Sequence, residues 1–163
     1  LIAEQDGSQG YTCFHIRGEG RVAKIQCDFS AMLSPGQFRQ FVLPSLERQT
    51  RRLDHALYHL DGKDAIRHVP AIMELEKLDA LQWTCGAGQP DGACPRWDVI
   101  YDQVAAAGKS LWIQLYDGGA TDWIAGAERL MARYGKQKLY FIFPDMSVRD
   151  AELLMNHAEK HWK

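Results

Sequence analysis

The sequence predicts an α/β protein built from five strand–helix units. Five short apolar runs recur along the chain, and each is followed by a segment with helical periodicity. No hairpin signal interrupts this repeat. Because the runs are apolar throughout, they resemble parallel strands that are buried on both faces. The predicted strands are residues 22–27, 56–61, 78–83, 111–116 and 139–143.

The residues around these strands predict where the helices begin and end. Ser34 is the expected N-cap of the first helix, with Pro35 at its first position and Gln37 completing a capping box. Pro44 falls inside this helix and is expected to kink it. Residues 1–20 form a lead-in, with a predicted strand at 11–16 and a turn at 17–20. The predicted helices are 35–53, 64–75, 97–107, 121–134 and one that opens at 147.

Composition indicates one globular domain that spans residues 1–163. The chain is 46% hydrophobic and 25% charged, with a formal net charge of −2. This balance gives no reason to expect nucleic acid or an anionic membrane as a partner. We find no apolar run of the length of a membrane helix, about 18 residues, and no secretory signal. The four cysteines form no dense framework, so we expect free thiols and a cytoplasmic protein. No CxxC pair occurs, which argues against a zinc ribbon or a thioredoxin-type redox site.

Polar residues gather where the predicted strands end. The carboxyl ends of parallel strands form the functional edge of an α/β sheet. His59 and Asp61 stand at alternate positions of one strand end and therefore point to the same side. The candidate catalytic residues are His59, Asp61 and Asp28, the candidate substrate-binding residues are Gln82, Cys85, Gln114 and Tyr116, and the candidate metal ligands are His59, Asp61 and Cys85.

Each of these residues also has a structural interpretation. Asp28 is able to bind backbone amides in the turn that follows it. His59 is also interpretable as a hydrogen-bonded core histidine, and Asp61 as a cap ahead of the next helix. In that case, the His59–Asp61 pair has no chemical role.

Two architectures fit the repeat, an open doubly wound sheet and part of a (β/α)8 barrel. A complete barrel typically needs about 250 residues. Five units therefore supply only part of one. Such a part leaves open sheet edges, which predicts either self-association with a second copy or pairing with the missing N-terminal part of the barrel.

Three segments resemble the uroporphyrinogen decarboxylase superfamily. Residues 26–38, QCDFSAMLSPGQF, with 41–46, FVLPSL, resemble the family pattern in which an Asp-bearing strand leads into SPexFxxFvlPyl. Residues 58–62, YHLDG, are similar to its His-x-Cys-Gly strand end, with Asp61 at the position of the cysteine. Residues 78–83, LDALQW, resemble its aDalsxdW strand. The resemblance implies the C-terminal part of a (β/α)8 TIM barrel.

The same resemblance implies a class of reaction. The superfamily includes porphyrinogen decarboxylases and zinc-dependent methyltransferases that move methyl groups between corrinoid proteins and thiols. It implies methyl transfer in a corrinoid or trimethylamine-type system, with zinc as cofactor and a corrinoid protein as partner. A carboxy-lyase is the second enzymatic expectation. The other alternative is a metal-free barrel that binds a small molecule.

Overall fold

A five-stranded parallel sheet forms the centre of the structure, a computed structural model that describes residues 7–11 and 14–162. Its strand order follows the chain without reversal, and each strand is hydrogen-bonded to the next. The α/β class and the five predicted strands are confirmed, with ends that differ by one or two residues. The strands are β3 (Val22–Gln26), β4 (His55–Asp61), β5 (Ala80–Thr84), β6 (Ser110–Gln114) and β7 (Leu139–Ile142).

This strand order bears on the two architectures that fit the sequence. A doubly wound sheet reverses its strand order at a switch point. The order β3-β4-β5-β6-β7 has no such reversal. The sheet is therefore compatible with part of a (β/α)8 barrel.

An antiparallel hairpin precedes the sheet and replaces the single strand predicted at 11–16. It pairs β1 (Ser8–Tyr11) with β2 (Ile16–Glu19), and Nε of Arg17 donates to Oγ of Ser8 across it at 2.7 Å. The turn predicted at 17–20 is wrong, because residues 16–19 alternate between half-buried and exposed as an edge strand does. The chain bends at Gly20, which has a φ of +72°.

The first helical segment begins as predicted. Ser34 Oγ accepts from the amide of Gln37, and Gln37 Oε1 accepts from the amide of Ser34. The kink expected at Pro44 takes the form of a π-helical turn just before it, in which the Leu43 amide donates to the Phe38 carbonyl. The segment therefore consists of α1 (Pro35–Gln37), the π turn Phe38–Val42 and α2 (Leu43–Thr50).

The later helices occupy their predicted places. The helix expected at 64–75 is shorter than predicted, because Pro70 has no amide hydrogen to donate and residues 63–68 form a 3₁₀ turn instead. None of the helices in the described ranges is long and apolar enough to cross a membrane. The helices are α3 (Val69–Met73), α4 (Asp98–Ala106), α5 (Ala120–Tyr134) and α6 (Val148–His161).

The two faces of the sheet have different surroundings. One face packs against the helices and forms the core, in which Tyr58, Leu81 and Ile113 are each at most 1% exposed. The opposite face, which we call the inner face, carries polar and aromatic side chains and is crossed by the N-terminal hairpin. The expectation that the strands are buried on both faces holds for only part of the inner face. Leu57, Gln82 and Trp112 are buried there, at 4%, 2% and 6% exposed. His55, Asp61 and Tyr140 are exposed.

Candidate functional site

Five aligned residues form a row across the inner face. The parallel register pairs each of them with the next, from β3 to β7. Strand alternation places them all on the same side of the sheet. The row consists of Gln26, His59, Gln82, Trp112 and Tyr140.

His59 stands in the middle of the polar part of this row. Its ring is half-buried, and its Nδ1 contacts Oε1 of Gln82. Gln82 is 2% exposed and is held in turn by Thr84, because its Nε2 donates to Oγ1 of Thr84 at 2.8 Å. A carbonyl oxygen only accepts, so a hydrogen bond at this contact requires the proton on Nδ1 and leaves the lone pair on Nε2. This arrangement suits a general base or an acceptor for a ligand proton.

A second polar chain leads along β3 to Asp28. The ammonium group of Lys24 donates to Oε1 of Gln26, and Nε2 of Gln26 donates to Oδ1 of Asp28. Asp28 is exposed at the end of this chain. The structural interpretation of Asp28 was that it binds backbone amides of the turn that follows it. In the structure its side chain accepts a hydrogen bond from the side chain of Gln26. Lys24 and Asp28 bring opposite charges to the same sheet edge.

Asp61 and Gln114 complete the carboxyl edge of the inner face. Asp61 ends β4 as an exposed residue and is aligned with Thr84. Gln114 ends β6, half-buried, two residues beyond Trp112 on the same face. The structure therefore brings five of the predicted site residues to one edge: Asp28, His59, Asp61, Gln82 and Gln114.

Cys85 and Tyr116 lie in a different environment. Cys85 is 4% exposed within the helix-side core, and Tyr116 lies near its thiol. Burial, with a smaller contribution from Asp91, raises the pKa of the Cys85 thiol to about 12. Burial also raises the pKa of Tyr116 to about 12. In the absence of a metal this thiol stays protonated at neutral pH, and it would have to lose its proton in order to bind one.

The proposed metal ligands are not assembled in this arrangement. His59 and Asp61 belong to the inner face, and Cys85 packs on the helix side. Within residues 7–11 and 14–162, no three His, Cys, Asp or Glu side chains are grouped as a metal site. The described residues thus do not present the three-ligand set of a catalytic zinc centre, and zinc binding stays a prediction.

The Gly/Pro-rich loop at 85–96 is fixed by Asp91, which the sequence analysis did not identify. Oδ1 of Asp91 accepts from the amide of Ala93, and Oδ2 accepts from the amides of Tyr116 and Asp117, at 2.9–3.1 Å. A reciprocal hydrogen bond runs from the Asp91 amide to Oδ2 of Asp117, at 2.8 Å. The carboxylate is 6% exposed. Asp91 therefore ties the loop to the end of β6 and helps to shape the carboxyl edge.

Sequence reasoning missed several residues of the inner face. Lys24 and Gln26 precede Asp28 at alternate positions, and this period of two was the available signal. Trp112 is buried, at 6% exposed, and its Nε1 donates to the carbonyl of Phe14 at 2.9 Å. No sequence pattern indicated a role for Phe14, because its contact with β6 joins residues that are 98 positions apart.

An apolar cavity of about 160 Å³ lies elsewhere, between the hairpin and the amino ends of the strands. Ile16, Leu57 and Ala80 are among the residues that line it. His59 and the polar edge do not take part in it. We therefore interpret this cavity as incomplete packing beneath the hairpin, and the polar carboxyl edge as the candidate site.

Comparison with known proteins gives no relative for this chain: no protein-family model, no curated protein and no solved structure matches it.

Proposed function

We propose that the chain is the C-terminal part of a uroporphyrinogen decarboxylase-like (β/α)8 barrel that transfers methyl groups in a corrinoid-linked system. The observation that supports this most is the row on the inner face, where His59 and Gln82 are held together next to the carboxyl edge. In a barrel of this kind the inner face lines the interior, and catalytic residues lie at the carboxyl ends of the strands. The sequence resemblance supplies the class of reaction.

His59 has a direct part in the proposed chemistry. Nε2 is placed to accept the proton of a thiol substrate. A corrinoid carried by a partner protein would supply the methyl group to the resulting thiolate and would keep the electron pair of the bond that breaks. Gln82 holds the imidazole in the required tautomer through Nδ1. Asp28 and Asp61 are exposed at the same edge and are available to bind polar groups of the substrate.

The cofactor is tested by elemental mass spectrometry of the protein that contains this chain, with and without His59→Ala. The superfamily resemblance implies zinc, which lowers the pKa of a bound thiol. About one equivalent of zinc that is lost in His59→Ala would support zinc at His59; Nε2 would then bind the metal in place of accepting a proton, with further ligands beyond those grouped in this structure. No metal in either protein would exclude the zinc-dependent form of the reaction and leave a base or a ligand-recognising role for His59.

The second candidate is a metal-free decarboxylase-like or small-molecule-binding barrel. It is favoured by the position of Cys85, which packs in the helix-side core and not on the inner face with His59 and Asp61. In that protein His59 and Gln82 recognise a ligand and no methyl group moves.

Three cysteines in the described ranges are free thiols, which supports a cytoplasmic protein for either candidate.

The open sheet edges predict a partner. β3 and β7 are the outer strands of the sheet, and large apolar residues are exposed after β3 and on α6. The isolated chain is therefore expected to self-associate, whereas in the whole barrel the preceding units cover these edges. Light scattering at micromolar concentration checks this, and a clean monomer would contradict it. The exposed residues are Phe29, Met32, Phe41, Val148, Leu153 and Met155.

A further inference from the structure

The N-terminal hairpin is fastened across the inner face by two side-chain hydrogen bonds. The indole Nε1 of Trp112 donates to the Phe14 carbonyl at 2.9 Å, and the phenol of Tyr140 donates to the His15 carbonyl at 2.8 Å. Both donors belong to the same row as His59. His15 has a φ of +51°, a conformation that is uncommon outside glycine and that the surrounding contacts must maintain. The segment is thus held in one defined position.

This position brings the Phe14 ring to the candidate site. The centroid of the ring lies 5.2 Å from that of His59 in an edge-on arrangement and 6.1 Å from that of Trp112. The Lys24 ammonium lies 5.3 Å from the same centroid. The His59 imidazole is therefore in contact with Gln82 through Nδ1 and with Phe14 through its ring.

We propose that the hairpin is a fixed wall of the site and that Phe14 is a positioning residue for His59. The Nδ1 contact already restricts rotation of the imidazole about its Cβ–Cγ bond, and a second contact on the ring opposes the rotation that would break it. Phe14 supplies that contact, and Trp112 and Tyr140 fix the backbone that carries Phe14. The wall is aromatic, so it offers an apolar surface beside the basic nitrogen, suited to a methyl or methylene group of a ligand. The inference rests on the proposed function only in taking His59 as the reacting group.

The positioning of His59 has a spectroscopic signature. If Nδ1 donates to Gln82, the two ring nitrogens have distinct ¹⁵N chemical shifts, one typical of N–H and one of a lone-pair nitrogen. If the ring is not held, the tautomers exchange and the two shifts approach each other. A role of Phe14 that is limited to stability would leave the tautomer ratio of the folded protein unchanged.

The experiment records ¹⁵N spectra of histidine-labelled protein near pH 8, with the His59 signals assigned by their loss in His59→Ala. We expect one dominant Nδ1–H tautomer in the wild type. Phe14→Ala should lower the ratio of Nδ1–H to Nε2–H by about fivefold, which corresponds to one aromatic pair contact. Phe14→Tyr keeps the ring and should restore the wild-type shifts. Wild-type shifts in folded Phe14→Ala would overturn the proposal.

A second variant covers the case in which Phe14→Ala does not fold. Tyr140→Phe removes one hydroxyl on the outer strand β7 and keeps its ring. It should speed amide hydrogen exchange in residues 14–19 and shift the His59 tautomer ratio in the same direction as Phe14→Ala. Unchanged exchange together with unchanged ¹⁵N shifts would also overturn the proposal. The ¹⁵N shifts and the amide exchange rates are both measured without turnover. The proposal for Phe14 and the proposal of methyl transfer can therefore fail independently of each other.

Discussion

Replacing Gly92 by alanine is expected to lower the free energy of unfolding by about 3 kcal/mol, the upper range for overpacking a tight interior. Gly92 is buried in the loop after β5, and its amide donates to the Gln114 carbonyl at 3.0 Å. A Cβ there would overlap the Ile113 side chain and lie 2.7 Å from the carbonyl oxygen of Gln114. Because one of these neighbours is backbone, the clash cannot be relieved by a rotamer change. Urea unfolding followed by circular dichroism measures the loss.

Gly36→Ala is the matched control for this substitution. A Cβ at Gly36 meets nothing within 4 Å, and the residue lies in the first helical turn. Its unfolding free energy should stay within about 0.5 kcal/mol of the wild type. Equal effects of the two substitutions would show that the loop is not packed against β6 as described.

Asp91→Ala is expected to cost about 3 kcal/mol, because three backbone amides lose the carboxylate that accepts from them. The carboxylate is buried, so water replaces it only after the loop has moved. The loop should therefore become accessible to protease while the rest of the sheet stays folded. Urea unfolding and limited proteolysis at Arg96 measure the two effects.

Asp145→Ala provides the comparison for Asp91→Ala. Asp145 is also an aspartate that follows a strand of the same sheet, but it is exposed. Its replacement should change the unfolding free energy by less than about 0.5 kcal/mol. A loss at Asp91 no larger than at Asp145 would contradict the anchoring role of the buried carboxylate.

The sheet was predictable because its signals are local. Apolar runs of four to six residues between helical segments identify strands, and the capping box at Ser34 identified the start of a helix. The hairpin was not predictable in the same way. Its strand Ile16–Glu19 contains charged and glycine residues typical of a turn, and it becomes a strand by pairing with Ser8–Tyr11.

The candidate site was predictable along each strand but not between strands. His59 and Asp61 share a side because of the strand period, and Gln82 joins them through the observed register. Cys85 lies one position beyond Thr84. Because side chains alternate along a strand, Cys85 lies on the face opposite to that of Gln82 and Thr84. Phe14 depends on a contact between segments far apart in the chain, for which a single sequence holds no periodic signal.

The rate of methyl transfer from methylcobalamin to coenzyme M tests the central claim most directly. It is measured with the protein that contains this chain, with His59→Ala, and with His161→Ala, which changes an exposed histidine on α6. The account predicts that His59→Ala lowers the rate by at least about 10²-fold, the contribution of a general base, while His161→Ala keeps the wild-type rate. A wild-type rate no higher than the uncatalysed background, or a His59→Ala rate equal to that of the wild type, would contradict it.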